Sequence, residues 1–305
     1  MNNLCDYRTV RDLLEKYGQQ PKKGFGQNFL INLSVPERIA ACSAAYADPT
    51  KKNGVIEIGP GVGALTQYLC ENYAKVVAVE LDRGLIPLLG EALQDYENVT
   101  VVEGDFMKID LPSFIEEHFA DILADGGTVS VCANLPYYIT TPVIMKILES
   151  FTPSEKIPLS SVTVMVQLEV ARRLAAKAGT DDYGAITASI ALKAKAEKLF
   201  DVSAGNFLPP PKVSSAVVGI VPHGGIREVF PDSPEDDADC VKFSEKVGEI
   251  IALAFGQRRK TLVNSVGAKY PKEKITAALE ECGLRTDIRG EKLSADDFCR
   301  IAARL

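Results

Sequence analysis

Only two histidines, His118 and His223, occur in the 305 residues, and neither stands in a motif. Histidine-based metal or triad chemistry has little to work with. The seven cysteines, Cys5, Cys42, Cys70, Cys132, Cys240, Cys282 and Cys299, are scattered, odd in number and never form CxxC. Neither zinc nor a disulfide framework is indicated, so reduced structural thiols and no metal are expected. No apolar run approaches the ~20 residues that cross a bilayer, and Met1 to Arg11 lacks a signal-peptide core. A cytoplasmic protein without membrane contact is expected, and a reaction needing no protein nucleophile becomes attractive.

Basic residues are outnumbered, 34 Lys and Arg against 41 Asp and Glu, for a net charge of -7. That balance argues weakly against nucleic acid as a partner, because phosphate contacts come from cations. The distribution points the other way. Acid gathers in Pro231 to Asp239, read as a solvated linker, whereas Lys22-Lys23 and Arg258-Arg259-Lys260 are local basic spots suited to phosphate.

What is present is alternation. Short β-branched runs at Gly54 to Ile58, Lys75 to Glu80, Val99 to Glu103, Thr128 to Ala133 and Ser161 to Val166 read as strands. Helical periodicity fills the gaps at Leu65 to Glu71, Leu85 to Leu93, Ser113 to Leu123, Pro142 to Glu149 and Gln167 to Lys177. Such a chain builds a parallel sheet covered by helices, with ligands beyond the carboxyl ends of the strands. Glu197 to Ser203 and Ser215 to Val221 read as a hairpin-like return at the sheet edge. A boundary is expected between His223 and Asp239, with helices beyond it at Phe243 to Phe255, Thr261 to Val266, Lys272 to Cys282 and Ala295 to Leu305, the last capped by Ser294.

Gly59-x-Gly61-x-Gly63 follows the first strand and opens a helix, so backbone N–H groups can approach a ligand closely. The spacing is not the GxGxxG dinucleotide fingerprint and is weak alone. Acids at the next two strand ends strengthen it. Glu80 can accept both hydroxyls of a ribose, and Asp105 can accept from an adenine amine. Downstream, Asn134-Leu135-Pro136-Tyr137 offers a side-chain carbonyl, a backbone carbonyl, a stiffened turn and an aromatic face. Together these describe an adenosine-type cofactor facing a flat base with an exocyclic amine.

These motifs, with Gly26 to Leu30, Asn206 to Val213 and Ala254 to Leu262, resemble the small-subunit rRNA adenine dimethyltransferases of the KsgA (RsmA) group, from about residue 18 onward. The resemblance implies an α/β, Rossmann-like class I S-adenosylmethionine-dependent methyltransferase with a mostly parallel seven-stranded sheet. That domain, with an N-terminal lid segment, would span 1–223, and a small all-α rRNA-docking domain 224–305. It implies that Asn28 and Leu30 close over the cofactor, that Gly59 and Gly61 contact it, that Glu80 holds its ribose and Asp105 its adenine. Asn134 would lie between cofactor and target, binding the amine with the Leu135 carbonyl. Tyr137, after Pro136, would stack on the target adenine, with Phe207 opposing it. It also implies dimethylation of two adjacent adenosines near the 3′ end of 16S rRNA in an immature 30S particle, by an enzyme monomeric when free. Lys22, Lys23, Arg258, Arg259 and Lys260 would touch RNA.

Two positions depart from the family's pattern: Leu168 where lysine is usual, and Ser214 where aspartate is usual. They bear on how RNA docks rather than on the chemistry. Competing readings are a large-subunit rRNA resistance methyltransferase, an assembly factor that keeps the fold without turnover, and a nicotinamide dehydrogenase, which leaves Asn134 to Tyr137 unexplained.

Overall fold

The computed structural model describes residues 4–150, 159–257 and 259–305. In chain order the first half runs α1 (Tyr7–Lys16), β1 (Phe29–Leu30), α2 (Ser34–Ala44), β2 (Gly54–Ile58), α3 (Thr66–Asn72), β3 (Lys75–Glu80), α4 (Ile86–Ala92), β4 (Val99–Glu103), α5 (Leu111–Ala124), β5 (Val129–Asn134) and α6 (Thr140–Glu149). There follow β6 (Leu159–Gln167), α7 (Leu168–Leu174), α8 (Ala185–Ala191), β7 (Ala194–Val202), β8 (Phe207–Leu208) and β9 (Ser215–Pro222). The remainder is helical: α9 (Ile226–Val229), α10 (Asp237–Gly256), α11 (Leu262–Val266), α12 (Lys272–Glu281) and α13 (Ala295–Ala302).

One seven-stranded sheet has the order β4-β3-β2-β5-β6-β9-β7. The pairings from β4 to β6 are parallel, and β9 runs antiparallel to β6. The expected edge return is therefore present, with β9 inserted between β6 and the edge strand β7. All five residues of β2 are buried, as a central strand covered on both faces requires. Burying each Val or Ile there stabilises the sheet by roughly 1.5–3 kcal/mol. The strand order reverses beside β2, where β3 and β5 flank it and their following loops diverge. A ligand crevice opens at such a point.

Compactness divides the chain into two units: residues 4–150, 159–171 and 197–221, and residues 172–196, 222–257 and 259–305. The second unit's long helical part begins at Pro222, ahead of the boundary expected between His223 and Asp239. Residues 172–196 depart from that expectation, because Tyr183, Ala188 and Leu192 bury themselves in the helical unit's core with Val247, Leu279 and Phe298. Helix α10 starts earlier than expected, inside the acidic stretch, because Asp236 accepts from the Ala238 and Asp239 N–H groups as an N-cap. Ser294 caps α13 as expected, and Asp297 answers it in a capping box. No helix among the described residues is long and apolar enough to cross a membrane.

Candidate active site

The carboxyl ends of β2, β3, β4 and β5 open into a cavity of about 1100 Å³, measured out to its mouth. Gly59, Gly61, Glu80, Asp105 and Asn134 to Tyr137 line it, together with Asn28 and Leu30. Nearly every cofactor and target residue expected from sequence thus reaches one chamber. Gly59 and Gly61 have φ of +68° and +62°, and a Cβ on Gly61 would stand 3.1 Å from the Phe29 ring. Glycine is required there by backbone conformation and by the close approach of the lid.

Glu80 is 6% exposed. One carboxylate oxygen accepts from Gly61 N–H (3.1 Å) and the other from Asp82 N–H (2.7 Å). Burial raises its pKa, and those backbone donors pull the other way. Each oxygen keeps a lone pair for a ligand hydroxyl. Asp105 spends one oxygen capping the short turn at Met107 (3.0 Å), and the other stands 3.9 Å from the exposed Lys108 ammonium, long enough to leave it able to accept from a ligand. Leu81 and Met107, 50% and 37% exposed, supply apolar walls that would be costly surface in an isolated loop.

At the end of β5 the Asn134 amide nitrogen donates to the Asn28 carbonyl at 3.1 Å. That contact spends the donor end of the amide on the lid and leaves its carbonyl oxygen as an acceptor at the chamber. The Leu135 N–H continues the strand by donating to the Met165 carbonyl, and the Leu135 carbonyl receives no donor among the described residues. Consecutive chamber residues thus each carry an acceptor that receives no donor among the described residues. The Tyr137 hydroxyl is 2.8 Å from Ser215 Oγ on β9, which fixes the ring, and burial raises its pKa against the lowering effect of Ser215. Tyr137 is a neutral aromatic plate. Gly26, with φ of +61°, lets the lid approach: a Cβ there would meet Pro136 at 3.3 Å and the Tyr138 ring at 3.4 Å.

Two acids escaped the sequence reading. Glu57, in the middle of β2, is 1% exposed and lines the chamber. Its Oε2 and the neighbouring Thr66 Oγ1 fall short of a hydrogen bond to any group. Burial pushes the Glu57 carboxyl up to about 8, with Thr66 opposing and Glu80 adding to the rise. The signal was available as a lone carboxylate in an apolar strand, two residues before Gly59. A folded pKa above the unfolded one stabilises the protein fully below the unfolded value of 4.5, and that contribution is lost as pH rises through about 8. Ligand-free Glu57→Gln should show a flatter stability profile between pH 5 and 9, by on the order of a few kcal/mol. Denaturant melts across that range would check it, and parallel profiles would refute it.

Asp82 is the second. It accepts from Lys22 Nζ at 2.7 Å and Gln27 Nε2 at 3.0 Å, tying the lid's start to the end of β3. Burial alone would raise its pKa, yet these partners outweigh it and hold it low. Lys22, expected at RNA, is thus engaged in an ion pair beside the chamber, and the Lys23 side chain lies outside the described residues. Phe207 does not face the chamber. It is 3% exposed and pairs in register with Leu30 across β1 and β8, so it braces the lid strand from the core. Arg258 lies outside the described residues, and Arg259 and Lys260 are exposed. Tyr183 is a buried core residue whose hydroxyl donates to the Leu293 carbonyl at 2.9 Å.

The family profile described as "Ribosomal RNA adenine dimethylase" matches residues 18–305. The chain belongs to that family. Similar relatives include proteins named "Ribosomal RNA small subunit methyltransferase A" from Bacillus pumilus, 40% identical over 96% of this chain and 94% of that one, and from Lachnoclostridium phytofermentans, 39% identical over 99% and 97%. Among solved structures, a dimethyladenosine transferase from Plasmodium falciparum has a TM-score of 0.67 at 23% identity, covering 89% of this chain and 95% of that one. The 23S rRNA methyltransferase ErmE has a TM-score of 0.64 at 24% identity, covering 91% and 99%. These two show the fold, that of the class I methyltransferases. As an rRNA adenine dimethylase the protein is an enzyme with an rRNA substrate, and its methyl donor is S-adenosylmethionine. The chamber suits that molecule. An orphaned buried carboxyl oxygen on Glu57 answers an ammonium, Glu80 answers vicinal hydroxyls, and the open side of Gly59 leaves room where a Cβ would intrude.

Proposed function

We propose that this enzyme dimethylates N6 of two adjacent adenosines near the 3′ end of 16S rRNA, in immature 30S particles in the cytoplasm, acting as a monomer when free. The observation that carries the reading is the Asn134 amide, whose nitrogen donates to Asn28 while its oxygen and the next residue's carbonyl receive no donor among the described residues. In this reading Asn28, Leu30, Gly59, Gly61, Glu80 and Asp105 hold S-adenosylmethionine, which supplies an electrophilic methyl group on a sulfonium.

An exocyclic adenine amine is a poor nucleophile because its lone pair is delocalised into the ring. Asn134 Oδ1 and the Leu135 carbonyl accept its two hydrogens out of the ring plane and so favour the pyramidal form. Tyr137 stacks on the base, Pro136 stiffens the turn, and alignment at roughly 3–3.5 Å supplies much of the remaining acceleration. The amine becomes acidic as it is methylated and releases its proton to solvent, so no general base is needed. For the second transfer the amine keeps one hydrogen for the same two acceptors. Phe207 supports this corner from behind β1. The target base must leave its stack to enter. Arg258, Arg259 and Lys260 are assigned to rRNA docking, with Lys23, while Lys22 orders the lid.

The test is transfer of labelled methyl from S-adenosylmethionine to undermethylated 30S particles, mature 30S particles and 50S subunits in parallel, with the labelled nucleotides mapped. Label confined to N6 of paired adenosines in the undermethylated 30S supports the reading. Label in the 50S subunit, or none, overturns it.

A further inference from the structure

Outside the chamber, α2, β6–α7, β7 and the loop before β9 enclose an open groove of about 910 Å³. Arg38 on α2 projects into it with its guanidinium 3.9 Å from the centroid of the Phe200 ring. Stacking on the ring restricts the cation and leaves its N–H groups able to donate to a ligand. Arg38 makes no hydrogen bond or ion pair among the described residues, and it is exposed. The groove's carboxylate, Asp201, is already taken by Lys198 at 2.6 Å. An oriented, unspent guanidinium beside a neutralised acid is suited to an incoming anion.

The groove's lining lies one residue from a contact of the target corner. Ser214 lines the groove, and the next residue, Ser215, holds the Tyr137 hydroxyl at 2.8 Å. Leu168 and Ser214, the two departures from the family's pattern, meet here, with Leu168 N–H donating to the Ser214 carbonyl at 3.0 Å. A lysine and an aspartate at those positions would add one charge of each sign next to Arg38. In their absence Arg38 is left without a competing cation or a quenching acid from those two positions.

We infer that this groove binds the phosphodiester flanking the target adenosine, with Arg38 on the phosphate and Phe200 as the plate that orients it. The inference rests on the rRNA reading above. A strand whose base is turned into the chamber past Tyr137 must run its backbone over the adjoining surface, and single-stranded RNA is held by such pairings of cation and aromatic ring. The groove therefore sets how tightly the strand is held, while the methyl-transfer step stays with Asn134 and Tyr137.

The test measures equilibrium binding of undermethylated 30S particles across a salt series for the parent, Arg38→Ala, Arg38→Lys and Phe200→Leu, alongside cofactor affinity and melting temperature. Arg38→Ala should bind about tenfold more weakly, with the slope of log K against log salt shallower by about 0.7, the value for one phosphate contact on a single strand. Its cofactor affinity should stay within twofold and its turnover at saturating particle within threefold. Arg38→Lys should keep the slope and lose a few-fold in affinity, as should Phe200→Leu. Parent-like affinity and slope in a folded Arg38→Ala protein overturn the inference. Failure of the parent to methylate any particle would remove the rRNA reading instead, and the salt slopes would still decide the groove.

Discussion

Asn134→Ala is expected to lower methyl transfer by roughly 10²–10³-fold, the range seen when one preorganised polar group aimed at a reacting atom is removed. Alanine deletes the acceptor that would hold the target amine and also the donor that holds the Asn28 carbonyl at 3.1 Å. The first loss acts on turnover and the second on the lid, so cofactor affinity should weaken only a few-fold. Asn134→Asp separates the two: it keeps an acceptor, but sets a carboxylate against the Asn28 carbonyl where an N–H stood. It should therefore bind cofactor worse than Asn134→Ala, because the lid is repelled rather than merely released. Single-turnover rates on undermethylated particles, with cofactor affinity by calorimetry, check both. Turnover of Asn134→Ala within tenfold of the parent would remove Asn134 from the chemistry.

Much of this site was legible because its determinants are local. Gly59 to Gly63, Glu80, Asp105 and Asn134 to Tyr137 each stand at the end of a strand whose β-branched run is plain in the sequence, and parallel pairing brings those ends to one edge of the sheet. What sequence could not show depends on distant partners. Lys22 looks like a free cation until Asp82, 60 residues away, takes it. Phe207 looks like a stacking plate until β8 pairs with β1 and turns it into the core. Glu57 hid inside a strand whose neighbours are all apolar and buried. Leu168 and Ser214 read as separate departures, 46 positions apart in number, until β6 and β9 set them side by side. Helix α2 went unread for a different reason: it has no side-chain cap to announce it and contains Pro36. The early start of α10 was masked by acid that reads as linker but serves as cap and first turn.

Glu80→Ala is expected to weaken S-adenosylmethionine binding by roughly 10²-fold or more, since hydrogen bonds to a charged acceptor contribute ~1.5–3 kcal/mol each and two ribose hydroxyls lose theirs. The carboxylate also receives Gly61 N–H at 3.1 Å and Asp82 N–H at 2.7 Å. Removing it leaves both donors without their partner and frees the glycine turn, so part of the loss comes from a chamber that is no longer preformed. Glu80→Gln discriminates these contributions. One amide oxygen can still accept from a backbone donor, but the amide nitrogen meets the other donor head-on, so affinity should fall by roughly tenfold while the fold keeps its melting temperature. Because the ribose lies away from the reacting atoms in this reading, turnover of Glu80→Gln at saturating cofactor should stay within a few-fold of the parent. A variant that binds normally but turns over slowly would move Glu80 from cofactor holding to the chemistry. Parent-like affinity in Glu80→Ala would mean that the cofactor's hydroxyls are held elsewhere in the chamber.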